Sequence, residues 1–365
     1  MRELLCFYAF LAVFLLFYLN LPKFGHLPDK ISREKIKRSK HVKNGKFHNM
    51  YPTVQMTAEN GLLCAIADFL FVRHPNTKPK KNLPAVKTDL RSLDENRDLM
   101  IWFGHSSYYI QLNGLRFLID PVFSKRASPV PFKVVSFKGT DIYRPEDMPE
   151  IDFILITHDH WDHLDYPTVL KMMKKTKRFI TGLGIGSHLR HWGVENNKIS
   201  ELDWNESVSF DGISIDCLPA RHFSGRSIFS NRSLWVSFLI RSSDYKLYAS
   251  GDSGYDNHYG DIGNRFDGVD LALLECGQYD KNWREIHQFP EKTVQAAQDL
   301  RAKRIFAGHN SRFCICNHPW FDPLLKVSDL AEKNNLTLLT PKIGEVVNLR
   351  EMTFSFDQWW KDVLP

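Results

Sequence analysis

Cysteine is sparse, six residues in 365, and the six follow no regular spacing. A disulfide-stapled scaffold is therefore excluded, and free thiols fit a reducing compartment. Cys314 and Cys316 stand close together but read as strand or loop thiols rather than as a metal pair. No internal repeat and no low-complexity tract occurs outside one basic segment. Hydrophobic residues make up 43% and charged residues 25%, a balance that excludes wholesale disorder. The length allows one large domain or two of ordinary size.

A cleavage site is missing as well. The opening stretch "MRELLCFYAFLAVFLLFYLNL" is apolar from Leu4 to Leu21 apart from Asn20, and "YLNLPKFGH" offers no small-x-small site for removing a leader. As a helix the run spans roughly 27 Å, so residues 1–22 are expected to form an uncleaved, single-pass transmembrane anchor. Lys23, Lys30, Arg33, Lys35, Lys37, Arg38 and Lys40 follow the run and only Arg2 precedes it. That asymmetry places the rest of the chain in the cytoplasm. The formal charge of +6 comes with the segment "KISREKIKRSKHVKNGK". Beside a membrane span, attraction to anionic headgroups explains it more economically than nucleic acid, which is not an expected partner. A solvated linker without any partner stands beside that reading.

Behind the anchor, residues 23–46 read as a basic linker and 47–95 as an N-terminal extension packed on the core, with "FVRHPNTKPKKNLPAVK" in loop. From 96 to 365 the pattern is that of the main domain. Short β-rich runs such as "DLMIWFG", "SYYIQLN", "LRFLIDPV", "IDFILITH", "LWVSFLIR", "YKLYASGD" and "VDLALLEC" are bounded by Gly, Asp, Asn or Pro. Helical patterns alternate with them: "YPTVLKMMKKT", "PEKTVQAAQDLRAK" and "PLLKVSDLAEKNN". Strands interleaved with helices, some strands continuously apolar, predict a layered α/β domain.

The stretch "THDHWDHLD" places His158, His160, Asp162 and His163 in one turn directly after a predicted strand. Neutral imidazoles and carboxylates are ligands for borderline cations such as zinc. His158 and His160 can converge on one metal, while Asp162 and His163 can reach a second. Two ions need further ligands, and His222 after "ISIDCLPAR", Asp252 after "YKLYASG" and His309 after "AKRIFAG" lie at the ends of other strands. Loops at one end of a sheet meet in space, and a central carboxylate such as Asp252 can bridge two cations. His318 competes with His309, which is favoured because a strand leads directly into it. Asp120 in "FLIDPVF" reads as a residue that orients the ligand loop by hydrogen bonding. His105 reads as structural.

With H-x-H-x-D-H complete and the later His, Asp and His in order, the sequence resembles the metallo-β-lactamase-fold hydrolases. More narrowly, "FGHSSYYIQLNGLRFLIDPVF", "ARHFSGR", "SGDSGY", "IHQFPEKTVQAAQDLRAKR" and "NHPWFDP" are similar to the branch containing N-acyl-phosphatidylethanolamine phospholipase D and bacterial relatives. The resemblance covers about residues 95 to 325. It implies a four-layer αββα sandwich, with His158, His160 and His222 on one Zn2+, Asp162, His163 and His309 on the other, and Asp252 shared. His287 in "REIHQFP" aligns with a substrate-contacting histidine of the phospholipase, which makes it a candidate substrate contact or proton donor. Tyr279 is a further substrate candidate. Two departures stand out: Trp161, a candidate substrate contact where substrate choice is expected to show first, replaces a Tyr, and Asn310-Ser311 follow His309 where relatives often have Trp-Gly.

The expected function is a zinc-dependent phosphodiesterase of the phospholipase D type, releasing N-acylethanolamine and phosphatidic acid from a phospholipid at the membrane surface. Asp252 and His287 would be its catalytic residues. A lactonase or other carboxylic ester hydrolase of the same fold is the alternative, since function lives in the pocket rather than the fold. A membrane-tethered binding protein without chemistry is the third, and metal content discriminates it. The sequence leaves oligomeric state open, a homodimer included.

Overall fold

The short apolar runs bounded by Gly, Asp and Asn form strands, because β-branched and aromatic side chains pack well on a pleated surface. In the computed structural model, residues 2–365 are described except 59–60, 62–63, 65–66, 69–70, 73, 131 and 352–355. The expected segments 1–22, 47–95 and 96–365 include excepted positions, which lie outside the described residues.

The chain opens with α1 (Arg2–Leu19) and α2 (Lys30–Ile36), then a small hairpin of β1 (Val42–Lys43) and β2 (Lys46–Phe47). The first half of the main domain carries β3 (Leu99–Trp102), β4 (Tyr108–Leu112), β5 (Leu115–Ile119), β6 (Ile151–Ile156), α3 (Tyr166–Met172), β7 (Thr176–Gly182), α4 (Gly186–His191) and β8 (Ile199–Leu202). The second half carries β9 (Ser207–Phe210), β10 (Ile213–Leu218), β11 (Ser237–Arg241), β12 (Lys246–Ala249), α5 (His258–Phe266), β13 (Leu271–Glu275), α6 (Pro290–Asp299), β14 (Arg304–Gly308), α7 (Asp322–Lys333), β15 (Thr337–Leu339) and β16 (Val346–Asn348).

Two seven-stranded sheets result, in the orders β16-β3-β4-β5-β6-β7-β8 and β15-β14-β13-β12-β11-β10-β9. Each is antiparallel on one side and parallel on the other: β5 to β8 in the first and β12 to β15 in the second run parallel. The core lies between the sheets, where Trp102, Ile110, Phe117, Phe153 and Ile180 meet Ile215, Phe238, Ile240, Leu273 and Phe306. The outer face of the first sheet, with Ile101, Ile154 and Phe179, packs against Val169 and Met172 of α3 and Leu189 of α4. On the second, Tyr248, Ala272 and Ile305 pack against Ile262 of α5 and Ala296 and Ala297 of α6. Strands buried on both faces account for the unbroken apolar run "IDFILI".

The N-terminal anchor is corrected by the structure. Among the described residues no helix is long and apolar enough to cross a membrane. The run reaches 18 residues in α1, and the first two, Arg2 and Glu3, are charged. What remains spans about 24 Å, short of a hydrocarbon core of about 30 Å. The expected single-pass, membrane-anchored localisation, with the orientation inferred from it, falls with the anchor. The C-terminal end of α1 is tied to the main domain instead: the Tyr18 hydroxyl donates to the Pro129 carbonyl at 2.5 Å, and Lys23 donates to both at 3.1 and 3.2 Å.

Residues 23–46, read as a basic linker, run along the main domain as a fastened strap. Asp29 caps α2 by accepting from Ser32 N and takes a two-pronged contact from Arg190 at 2.6 and 2.9 Å. Ser32 is buried and donates to Glu201 at 2.6 Å. Backbone atoms complete the fastening: Trp192 Nε1 donates to Pro22 O, Arg226 Nε to Lys23 O, and His26 N to His188 Nδ1, all within 2.9 Å.

Candidate metal centre

Ligand candidates come from the C-terminal ends of strands in both sheets, where side chains leave the ladder and face a common crevice. His158, His160, Asp162 and His163 follow β6, His222 follows β10, Asp252 follows β12 and His309 follows β14. The structure brings all seven together. One group is His158, His160, His222 and Asp252; a second is His105, Asp162, His163 and His309; in each, the donor atoms lie within 4.8 Å of one another. Asp252 reaches toward both, with Oδ2 at 3.7 Å from His158 Nε2 and Oδ1 at 3.1 Å from His163 Nε2 and from His309 Nδ1.

The donor set suits cations. His158 Nε2, His163 Nε2 and Asp252 Oδ1 are buried and make no hydrogen bond among the described residues. Buried polar atoms in that state are costly unless something else satisfies them. His160 Nδ1 and His222 Nε2 face each other at 3.2 Å, as two lone pairs directed at one ion would. Burial pushes the pKa of His158, His222 and His309 well below the ordinary value, which keeps these imidazoles neutral and able to ligate. Burial opposes ionisation of Asp162 and Asp252, but the surrounding imidazoles, His163 foremost, hold both carboxyls well below the usual range.

The supporting contacts fix how each ring is turned. Asp120, with φ at 42°, accepts from Thr157 N, Thr157 Oγ1 and His163 Nδ1 at 2.6 to 2.8 Å, joining the end of β5 to the ligand turn. His222 Nδ1 donates to Ile286 O at 3.0 Å, leaving Nε2 for the cluster. His309 takes a left-handed φ of 62°, held by His309 N to His105 O at 3.0 Å and His105 N to Asn310 O at 2.9 Å. The Asn310 amide caps three carbonyls, of Cys276, Ala307 and Gly308, at 2.9 to 3.1 Å, so the departure after His309 builds the turn. Gly277 admits that turn, since a Cβ there would lie 1.8 Å from His309 O.

Other expected site residues are placed as follows. His287 lies beside both groups, its ring centroid 5.0 Å from His222 and 5.4 Å from His309. Its Nδ1 contacts Glu275 Oε2 at 2.9 Å. Burial pushes the Glu275 carboxyl up to about 7; burial also opposes the charged form of His287, but Glu275 outweighs it and raises its pKa. Trp161 contacts Phe24 of the strap edge to face, at 5.1 Å between centroids, and lies under the Arg226 guanidinium, 4.1 Å from its ring. Tyr279 lies apart from the ligands: it donates to Asp322 at 2.6 Å, stacks on His318 at 4.1 Å and lines a cavity of about 860 Å³ that none of the seven ligand candidates lines. Cys314 and Cys316 are free thiols.

Several participants escaped sequence reasoning. His105, read as structural, contacts Asp162 Oδ2 at 2.8 Å and has a donor atom in the second group. Asn49 grips the backbone of His222 at both ends, accepting from His222 N at 3.0 Å and donating to His222 O at 2.8 Å. Asp159, a turn residue by sequence, accepts from Gly225 N and Ser233 Oγ at 2.7 and 2.8 Å, tying the ligand turn to the segment after His222. Glu275 had one available signal: an acid ending the otherwise apolar, fully buried strand "LALLE".

The family follows from comparison with known proteins. A family model described as the beta-lactamase superfamily domain matches residues 115–310, a span that holds all four strands leading into the ligand candidates and all seven candidates. The chain belongs to the metallo-β-lactamase superfamily. An uncharacterized protein of Mycobacterium tuberculosis is 32% identical over 338 residues, covering 89% of this chain and 88% of that one. The N-acyl-phosphatidylethanolamine-hydrolyzing phospholipase D 1 of Caenorhabditis elegans is 29% identical over 268 residues, covering 67% and 74%. Among solved structures, a metallo hydrolase from Ignicoccus hospitalis superposes with a TM-score of 0.53 at 21% identity, covering 71% of this chain and 99% of that one. As a member of the metallo-β-lactamase superfamily with this donor cluster, the protein is a metal-dependent hydrolase.

Proposed function

We propose that the hydrolase is a phosphodiesterase of the phospholipase D type, cleaving N-acyl-phosphatidylethanolamine-like phospholipids to N-acylethanolamine and phosphatidic acid. The observation that carries this reading is the meeting of two donor groups at Asp252, a layout suited to a pair of cations that clamp a phosphoryl group. Likeness to the nematode phospholipase over 67% of the chain supports the substrate class. Arg33, Lys35, Lys37, Arg38 and Lys40 are exposed on the strap, where they suit an anionic phospholipid surface.

His158, His160 and His222 would hold one cation and Asp162, His163 and His309 the other, with Asp252 reaching both. Zinc fits these N and O donors, with iron or manganese as the competing occupants. Bound there, two Zn2+ would supply hydroxide near neutral pH and neutralise charge on the phosphoryl oxygens. The chain's own contribution is positioning. Asp120 and Ile286 O hold the protons on the outward nitrogens of His163 and His222, so the inward ones stay available. His287, with its side chain 11% exposed, stands beside both groups as a source of the proton that the leaving alkoxide needs.

The test is a substrate panel on the zinc-loaded protein: N-acyl-phosphatidylethanolamine in micelles against acyl lactones, with Asp252→Asn as control. Release of N-acylethanolamine by wild type and its loss in the variant is expected. Turnover of lactones without any phosphodiester cleavage would overturn the reading.

A further inference from the structure

Glu275 is the last residue of β13 and its side chain is 1% exposed, so it meets no substrate. Both of its carboxylate oxygens are engaged: Oε1 accepts from Gln288 N at 2.7 Å, and Oε2 lies 2.9 Å from His287 Nδ1. Its backbone is fixed as well, with Glu275 N donating to Ser250 Oγ at 3.0 Å and Glu275 O accepting from Thr293 Oγ1 at 3.2 Å. A rigid strand end therefore grips one edge of the His287 ring. The ring stands beside the crevice, with one of its nitrogens within 4.8 Å of the donor atoms of Asp252 and His309. A buried carboxylate on Nδ1 leaves Nε2 as the working nitrogen, and it fixes the plane in which that nitrogen moves a proton.

We propose that Glu275 is a positioning residue that holds His287 by its Nδ1 proton, so that Nε2 is presented to the leaving oxygen at the junction of the two donor groups. The proposal deepens the phosphodiesterase reading and rests on it. In the step it serves, an oxygen from water bonds to phosphorus while the phosphorus–oxygen bond to the alcohol breaks and leaves its electron pair on the alcohol oxygen. That oxygen takes a proton from Nε2 of His287, and the ring regains one from the proton the attacking water gives up. Phosphoester and water are the only reactants consumed.

This arrangement is distinguishable from a carboxylate that merely braces the start of α6, because proton delivery matters only when the leaving group is basic. The experiment measures kcat and KM for wild type, Glu275→Gln, His287→Gln and the double variant, zinc-loaded, on phosphodiesters with para-nitrophenolate and with simple alkoxide leaving groups. With alkoxide esters both variants are expected to lose on the order of a hundred-fold in kcat with KM held. With the nitrophenyl ester they lose less than about ten-fold, the double variant is no worse than either single, and the metal content of all matches wild type. Equal losses across the two leaving groups, or metal lost from His287→Gln, would overturn the proposal. His287→Gln changes a partly exposed ring, so the leaving-group comparison stands even where Glu275→Gln folds poorly. A wild type inert on every phosphodiester overturns the phosphodiesterase reading and the proposal together; an active wild type whose variants ignore the leaving group overturns the proposal alone.

Discussion

At the scale of single residues, Asp120 is the most informative. One carboxylate collects three hydrogen bonds from the ligand turn and holds His163 in the ring state that faces Asp252. Asp120→Ala is expected to weaken metal binding about ten- to a hundred-fold, the usual cost of losing a ligand's orienting partner. Competition with a chromogenic chelator measures it, and unchanged affinity would remove Asp120 from the site. Legibility in the sequence follows the same physics. As candidates, His158, His160, Asp162 and His163 were legible because their spacing is local, and His222, Asp252 and His309 because each follows a strand. Asn49 was illegible: it binds a backbone 173 positions away, and an asparagine in a loop carries no mark of its partner.

At the scale of elements, the strap decides how firmly the ligand turn is backed. Its Phe24 makes an edge contact with Trp161, whose ring also carries the Arg226 guanidinium, and Arg226 donates to the Asp159 and Leu164 carbonyls at 3.1 and 2.6 Å. Trp161 was expected to show substrate choice first; its surroundings tie it to the N-terminal segment as well. Asp29→Ala removes the cap of α2 and the Arg190 contact together. Because that pair is partly exposed, about 1–3 kcal/mol of stability is expected to go, read as a shift in the urea midpoint. A midpoint within error of wild type would mean that the strap is held elsewhere. The strand and helix runs of the main domain were readable from periodicity. The strap was not, since its order comes from side chains such as Ser32 and Asp29 that look solvated in a basic segment.

At the scale of the whole molecule, the candidate ligands arrive from both sheets: His158, His160, Asp162 and His163 from the first, His222, Asp252 and His309 from the second. A cation at this seam binds the folded arrangement and has little hold on the unfolded chain, so it stabilises the pairing of the halves. Chelation is expected to lower the melting temperature by several degrees, and added zinc to restore it. A melting curve indifferent to chelator would mean that the donors hold no ion that matters to the fold. The same mass action gives the pH trend: ligation needs neutral imidazoles, so acid weakens cation binding and the drop in melting temperature on chelation is expected to shrink.

The edge strand of the first sheet has a consequence in time. β16, Val346–Asn348, pairs with β3, Leu99–Ile101, so a strand made early waits for one made some 245 positions later. Until then "LMIW" offers an open, apolar edge of the kind that pairs with strangers. Synthesis runs at roughly 5–20 residues per second, which leaves that edge uncovered for on the order of ten seconds or more. The hydrolase therefore spends its most adhesive moments before it owns a site, and a chaperone's claim on this chain would centre on that interval.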